Sequence, residues 1–455
     1  METFRFPIRP ARDASAHVAM SRFDAPTAAA RVLSSDRADR RARAAALACM
    51  IGLTVVLGVG RFAFTPLLPL MLADGSIGLK AGSWLASANY AGYFVGALSC
   101  AALRVAPARM VRVGLVATVL LTAAMGAGHW LPAWLVVRFV AGVVSAWTFV
   151  FMSQWGLRRL AELSAPEWSG VIYAGPGVGI VVTGLIGSAL AGQRAAVGWL
   201  GFAALSAVLS VAIWRTFGAA PASVPVPVPV PVPASASASA SASASAHAQA
   251  APPAAGAPAA LAARAATRSR RADAAWLVVL YGAPGFGYIV TATFLPVIAR
   301  AALPAGSPWP DLFWPMFGAA LIVGAIAAAR LPGHWDNRLL LAAGCATQAL
   351  GIAAGIVWPN AAGFSIGSAL LGLPFTAITL FAMREARRLH GERAAGLMGY
   401  ATASYGVGQI LGPLVAAPLA ARFGSFTPAL WVAAAALLIG AAGFAATAAR
   451  GRRSP

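Results

Sequence analysis

Two arginines, Arg61 and Arg138, stand well inside apolar runs of the chain, and no Asp, Glu or His shares that depth with them. A guanidinium at the centre of a hydrocarbon layer costs about 2.5–3.5 kcal/mol on insertion scales, so such a residue usually faces water, a partner or a ligand. All thirteen carboxylates fall in tails, in loops or near the ends of the apolar runs, as do His17, His129, His247, His334 and His390. Two positive charges without a balancing acid attract an anion. At about 4 Å and an effective dielectric near 20, each contact would contribute about 4 kcal/mol before desolvation. The expected chemistry is the binding of a small organic anion, in particular a carboxylate, by Arg61 together with Arg138. A cationic ligand is disfavoured because nothing acidic would pair with it, while a neutral one stays open. The competing reading is a buried Arg satisfied by backbone carbonyls.

Other polar side chains occur at similar depth. Asn89, Tyr90 and Tyr93, close to Trp84 and Ser87, could line a cavity, as could Tyr288 and Gln409 further along, with Gln154, Thr291 and Gln348 as similar cases. Ordinary helix packing, with each hydroxyl or amide bonded to a neighbour, is the plainer account of any one of them. No nucleophile–base pair or metal-ligand cluster lies at one membrane face, so an enzyme is not expected, nor is a metal or cofactor. Cys49, Cys100 and Cys345 read as small packing residues. The glycines of AGPGVG at Ala174–Gly179 are not a dinucleotide fingerprint, since no strand precedes them. No GxxxxGK[ST] loop is present either, which leaves a gradient as the energy source for any transport: a coupling ion such as a proton, or a counter-solute.

The elements that must hold these residues are membrane helices. Hydrophobic residues make up 59% of the chain and charged ones only 10%, against roughly 25% charged in an average soluble domain. Apolar runs fall at about 44–72, 82–103, 110–128, 131–155, 167–191, 196–214, 274–299, 310–329, 338–358, 361–383, 394–421 and 426–449, most near the length of about 20 residues that spans a bilayer. A membrane β-barrel would alternate over about ten residues instead. The fold class expected is therefore an all-α membrane protein of twelve transmembrane helices. Sorting the basic residues by segment puts 28 of the 34 on one side and four on the other. By the positive-inside tendency the first side is cytoplasmic, with both termini there, in an inner (plasma) membrane. The same bias accounts for most of the formal net charge of +21, so no nucleic-acid partner is required; the partners expected are the bilayer and a small-molecule substrate.

Composition breaks divide the chain. Residues 1–43 read as a disordered basic cytoplasmic arm without the apolar core of a signal peptide. Residues 44–217 form a first six-helix bundle, and 218–272, with VPVPVPVPVP at Val224–Pro233 and an Ala-Ser run after it, a cytoplasmic linker. Residues 273–449 form the second bundle and 450–455 a tail. The two bundles resemble each other: Gly60 and Pro69 recur as Gly287 and Pro296 at an offset of 227, Gly96 as Gly324 at 228, and Gly177, Val178 and Gly179 as Gly406, Val407 and Gly408 at 229. Near-constant offsets point to two pseudo-symmetric six-helix halves, a common transporter plan. Gly175, Pro176 and Gly179, with Gly408, Gly412 and Pro413, then suit either close helix packing or a rocking, gating part.

With these residues in hand, the chain resembles a known family. GVGRFAFTPLLPLML at Gly58–Leu72 and SWLASANYAGYFVGAL at Ser83–Leu98 are similar to the YbfB/YjiJ-type branch of the major facilitator superfamily. Arg138 to Gly142 resembles the superfamily's fourth-helix Arg-x-x-x-Gly motif, and Gly175-Pro176 with Gly179 its fifth-helix Gly-Pro motif, although Leu103–Arg112 lacks the usual Gly-x-x-x-Asp pattern. The resemblance implies a secondary transporter working by alternating access; the oligomeric state stays open, with a monomer expected. Export of neutral or hydrophobic compounds, or a sensor that binds without transporting, are the rival expectations.

Overall fold

A computed structural model describes residues 28–218, 257–391 and 394–453. Among the described residues, eleven helices are long and apolar enough to cross a membrane. A further helix, α3 (below), is as long but carries Ser83, Ser87, Asn89 and Tyr90 as buried residues. These polar side chains lower its hydropathy because they are spent on contacts inside the protein, as inter-helix hydroxyls and amides are. With α3 the spans number twelve, and the all-helical membrane fold is as expected.

In chain order the helices are α1 (Ala28–Leu53), α2 (Phe64–Ala73), α3 (Leu79–Ser99), α4 (Pro107–Ala127), α5 (Leu131–Glu162), α6 (Ser169–Ala189) and α7 (Ala195–Ile213), then α8 (Ala257–Ala302), α9 (Trp309–Arg330), α10 (Asn337–Val357), α11 (Ala361–Gly372), α12 (Phe375–His390), α13 (Ala394–Phe423) and α14 (Thr427–Arg453). α1 and α2 together make the first span, joined through a π-helical turn at Thr54–Val59. The sequence explains the break. Pro66 has no N–H for the carbonyl of Phe62, which accepts from Thr65 instead, and Gly60 donates five residues back to Val55 at 3.0 Å. α11 and α12 are likewise one span interrupted ahead of Pro374.

Within each half the repeated glycines mark a helix crossing. A Cβ on Gly179 would come within 2.4 Å of the Gly58 Cα, and one on Gly175 within 2.5 Å of the Met50 carbonyl, so α6 lies backbone to backbone on the first span. In the second half a Cβ on Gly408 would come within 2.5 Å of the Gly282 carbonyl, and one on Gly412 within 2.2 Å of the Ile289 side chain. The same crossing thus occurs twice, at the sequence offset noted above. α6 and α13 run as helices through Pro176 and Pro413. Between halves, α3 packs on α13, α6 on α9, and α2 on α8, while α1 packs on α5, α6 and α7.

Two expected boundaries differ. Helix begins at Ala28 rather than near residue 44, so residues 28–43, expected in the disordered arm, are helical, as are 257–272 of the expected linker. Both stretches are rich in Ala and Arg, strong helix formers, and extend a span that already supplies the nucleus. The rest of the arm, 1–27, the linker residues 219–256 and the tail residues 454–455 lie outside the described residues. The second half also carries an ion cluster at its arginine-rich end. Buried Glu385 holds Arg388 at 2.6 Å and lies 3.7 Å from Arg338, which also bonds Asp336 and the Thr447 carbonyl and approaches Asp273. Four span ends, those of α8, α10, α12 and α14, are tied together there.

Candidate functional site

Arg61 follows the π-helical turn of the first span. Its Nη2 donates to Oε1 of Gln409 on α13 at 3.0 Å, across the interface between halves. The guanidinium stacks over Tyr93 at 4.0 Å from the ring centre, with Tyr90 at 5.2 Å and Phe62 at 5.6 Å. Arg61 is only 6% exposed, and its Nε is buried without a hydrogen-bond partner. Gln409 passes the contact on, its amide donating to the Tyr288 hydroxyl. Arg61, Gln409, Tyr288, Tyr90 and Tyr93 therefore form one cluster drawn from α8, α13, α3 and the first span.

Arg138 has a different environment. Its three nitrogens reach the carbonyls of Leu85 at 3.5 Å, Gly60 at 3.3 Å and Arg61 at 3.4 Å, and its guanidinium faces the Phe64 ring at 4.9 Å. Gly60 and Arg61 lie at the helix break, where carbonyls lack their usual donors, and Arg138 supplies them. Asn89, wholly buried, donates to the Arg138 carbonyl at 3.0 Å. Asn89 and Arg138 thus brace the backbone that carries Arg61. Trp84 is half-exposed. Ser87 donates to the Ile410 carbonyl of the other half at 2.8 Å, and Gln348 caps the Leu371 carbonyl at the α11–α12 break at 3.2 Å.

Several contributors were not singled out in the sequence. Tyr405 stacks near Tyr288, with 5.9 Å between ring centres, and Phe375 meets Tyr288 edge-on at 4.8 Å. From Phe375 the rings continue through Phe317 and Trp314 to Phe62, which adjoins Arg61. Tyr405 precedes Gln409 by four residues and so shares its helical face, a signal that was present in the sequence. Trp314 and Phe62, on separate halves, left no such signal. Two more bonds cross between halves beyond Arg61 from the arginine-rich end: Thr65 to the Ala292 carbonyl at 3.1 Å, and the Tyr90 and Thr293 hydroxyls to each other at 3.0 Å. With Ser87–Ile410 they close that side of the interface.

The described residues contain no cluster of His, Cys, Asp and Glu able to hold a metal ion. One cationic donor edge, walled by aromatic rings and an amide, suits recognition of a small anion.

The sequence matches the family described as "uncharacterised MFS-type transporter YbfB" over residues 53–250 and 232–444. The chain belongs to this family of major facilitator transporters. It is thus a multi-pass membrane protein of a transporter family. Among solved structures, it is similar to a point mutant of the nucleoside transporter NupG, with a TM-score of 0.63 and 14% identity over 89% of this chain and 99% of that one. A D-xylose–proton symporter gives a TM-score of 0.62 and 11% identity over 88% and 96%. At these identities the likeness is one of fold, the major facilitator fold of two six-helix halves. No curated protein sequence matches significantly.

Proposed function

We propose that this family member is a secondary transporter of a small organic anion, working by alternating access, with Arg61 as the residue that meets the anion. The observation that carries this reading is the buried Arg61 guanidinium at the interface between halves, held by the neutral amide of Gln409 rather than by a carboxylate, with Nε unpaired. A buried cation lacking a counter-charge is costly, and an arriving carboxylate supplies that charge with bidentate geometry. Gln409, on the opposite half, would release its contact as the ligand takes its place. The halves could then separate on one side and close on the other, as repeat-built transporters do. The proton symporter among the structural neighbours makes a proton one candidate driving ion; exchange for a second anion is the other. The arginine bias supports an inner-membrane protein whose arginine-rich end, with both termini, is cytoplasmic.

The test is flux in proteoliposomes holding the purified full-length protein, with panels of carboxylates, neutral solutes and organic cations, for the wild type, Arg61→Lys and Arg61→Ala. Uptake of an anion class that Arg61→Ala abolishes, while the variant keeps its thermal stability, is the expected result. Flux confined to neutral or cationic solutes, unchanged in Arg61→Ala, would overturn it.

A further inference from the structure

We infer that the anion is an aromatic monocarboxylate: one carboxylate on Arg61 and a planar ring among Tyr93, Tyr405 and Phe375. This inference rests on the anion reading above and adds to it a charge count and a shape.

The charge count comes from the different surroundings of the two arginines. Arg138 gives its Nε, Nη1 and Nη2 to three backbone carbonyls and is 2% exposed. Turning this guanidinium towards a ligand would uncover the Leu85 carbonyl and the two carbonyls of the helix break, Gly60 and Arg61. Arg61 is the other arginine at this depth, with Nη2 on a neutral amide and Nε buried without a partner. The site therefore presents one guanidinium edge, which matches one carboxylate. A second carboxylate on the ligand would find the remaining cation, Arg138, already committed to backbone carbonyls, and an unpaired buried charge is strongly disfavoured. An organic cation would find no acid.

The shape comes from the rings. Tyr93, Tyr405 and Phe375 are half-buried, whereas their partners Arg61, Gln409 and Tyr288 are buried. Tyr93 stacks on the guanidinium; Tyr405 and Phe375 both contact the ring of Tyr288, the residue that Gln409 bonds. The three rings thus lie around the Arg61–Gln409–Tyr288 contact, each with part of its surface uncovered. Aromatic pairs favour offset-stacked or edge-on contacts at ring separations of about 4.5–7 Å, the range already spanned by the contacts of Tyr288 with Phe375 and Tyr405. A benzene-sized ring can join such a set edge-on or offset. A saturated ring of the same volume and charge gains area burial but not the quadrupole contact.

Three probes separate these terms: benzoate, cyclohexanecarboxylate, which keeps the size and charge without a π face, and terephthalate, which adds a second carboxylate. Binding to the full-length detergent-solubilised protein is measured by titration calorimetry, on the wild type, Tyr405→Phe, Tyr405→Leu and Arg61→Ala. The expected result is benzoate binding roughly tenfold more tightly than cyclohexanecarboxylate, with terephthalate weaker than both. Tyr405→Phe should keep the benzoate preference, and Tyr405→Leu should reduce it while leaving cyclohexanecarboxylate affinity nearly unchanged. Equal affinity for benzoate and cyclohexanecarboxylate, or tighter binding of terephthalate, would overturn the aromatic monocarboxylate while leaving the anion reading intact. If none of the three acids binds in an Arg61-dependent way, both readings fall.

Discussion

Arg61 and Gln409 are 348 residues apart in the chain, yet they share a 3.0 Å hydrogen bond that joins the two halves at a buried site. The bond is between a cation and a neutral acceptor, and on the proposed reading an arriving carboxylate, a stronger partner for the guanidinium, takes its place. Replacing the amide by an acid changes that balance. Gln409→Glu should place a permanent counter-ion beside Arg61 and lower anion affinity at neutral pH by tenfold or more, about 1.4 kcal/mol or above. Uptake of radiolabelled carboxylates into proteoliposomes would show this, and unchanged affinity would mean that ligand and Gln409 do not compete for the same guanidinium.

The two arginines should respond oppositely to mutation. Arg138→Leu strips two backbone carbonyls at the break in the first span, and that of Leu85 on α3, of the bond from Arg138. Charged hydrogen bonds contribute about 1.5–3 kcal/mol each, and these are long, so a total loss of about 3 kcal/mol is expected as a marked fall in thermal unfolding temperature in detergent. Arg61→Ala, which removes one bond to a neutral amide, should unfold close to the wild type and lose anion binding. A stable Arg138→Leu protein with lost binding would assign Arg138 to the ligand.

Gly58 and Gly179 meet backbone to backbone, so neither can accept a side chain without moving a helix. Gly179→Val should destabilise the first half by about 1–3 kcal/mol or more, seen as lower yield and lower unfolding temperature. Gly201→Ala, where a Cβ meets nothing within 4 Å, serves as the neutral control. Equal behaviour of the two variants would show that the crossing is looser than this backbone contact requires.

Asp336, just outside the membrane span of α10, caps that helix by accepting from the Arg338 N–H at 2.9 Å. Burial raises its pKa, but the side-chain and backbone bonds from Arg338 and the charges of Arg338 and Arg388 outweigh this and hold it below the usual carboxylate range. A depressed folded-state pKa contributes stability that is complete above the unfolded value near 4 and is lost as pH falls through the folded one. Asp336→Ala should therefore cost about 1 kcal/mol at pH 7, typical of a lost N-cap, and the gap to wild type should shrink below about pH 4. Thermal unfolding across pH 3–7 checks this; a gap that stays constant with pH would exclude the carboxylate as its source.

The sequence alone determined the spans, the two halves and the depth of Arg61, because hydropathy and proline or glycine placement act within one helix turn or one bilayer thickness. Even α3, whose Ser, Asn and Tyr residues dilute its hydropathy, was legible from its length and flanks. The repeated glycines pointed to two similar halves and left close packing or gating open; in the structure Gly179 and Gly408 each sit at a close helix crossing. Arg138 was open between ligand and carbonyl, and only the folded backbone brings it onto the Gly60 and Arg61 carbonyls, which lose their helical donors where the first span breaks. Tertiary structure alone also brought Gln409, Tyr405, Phe375 and Trp314 to Arg61. Those contacts run between helices of different halves, and no local periodicity encodes which faces of two distant helices will meet.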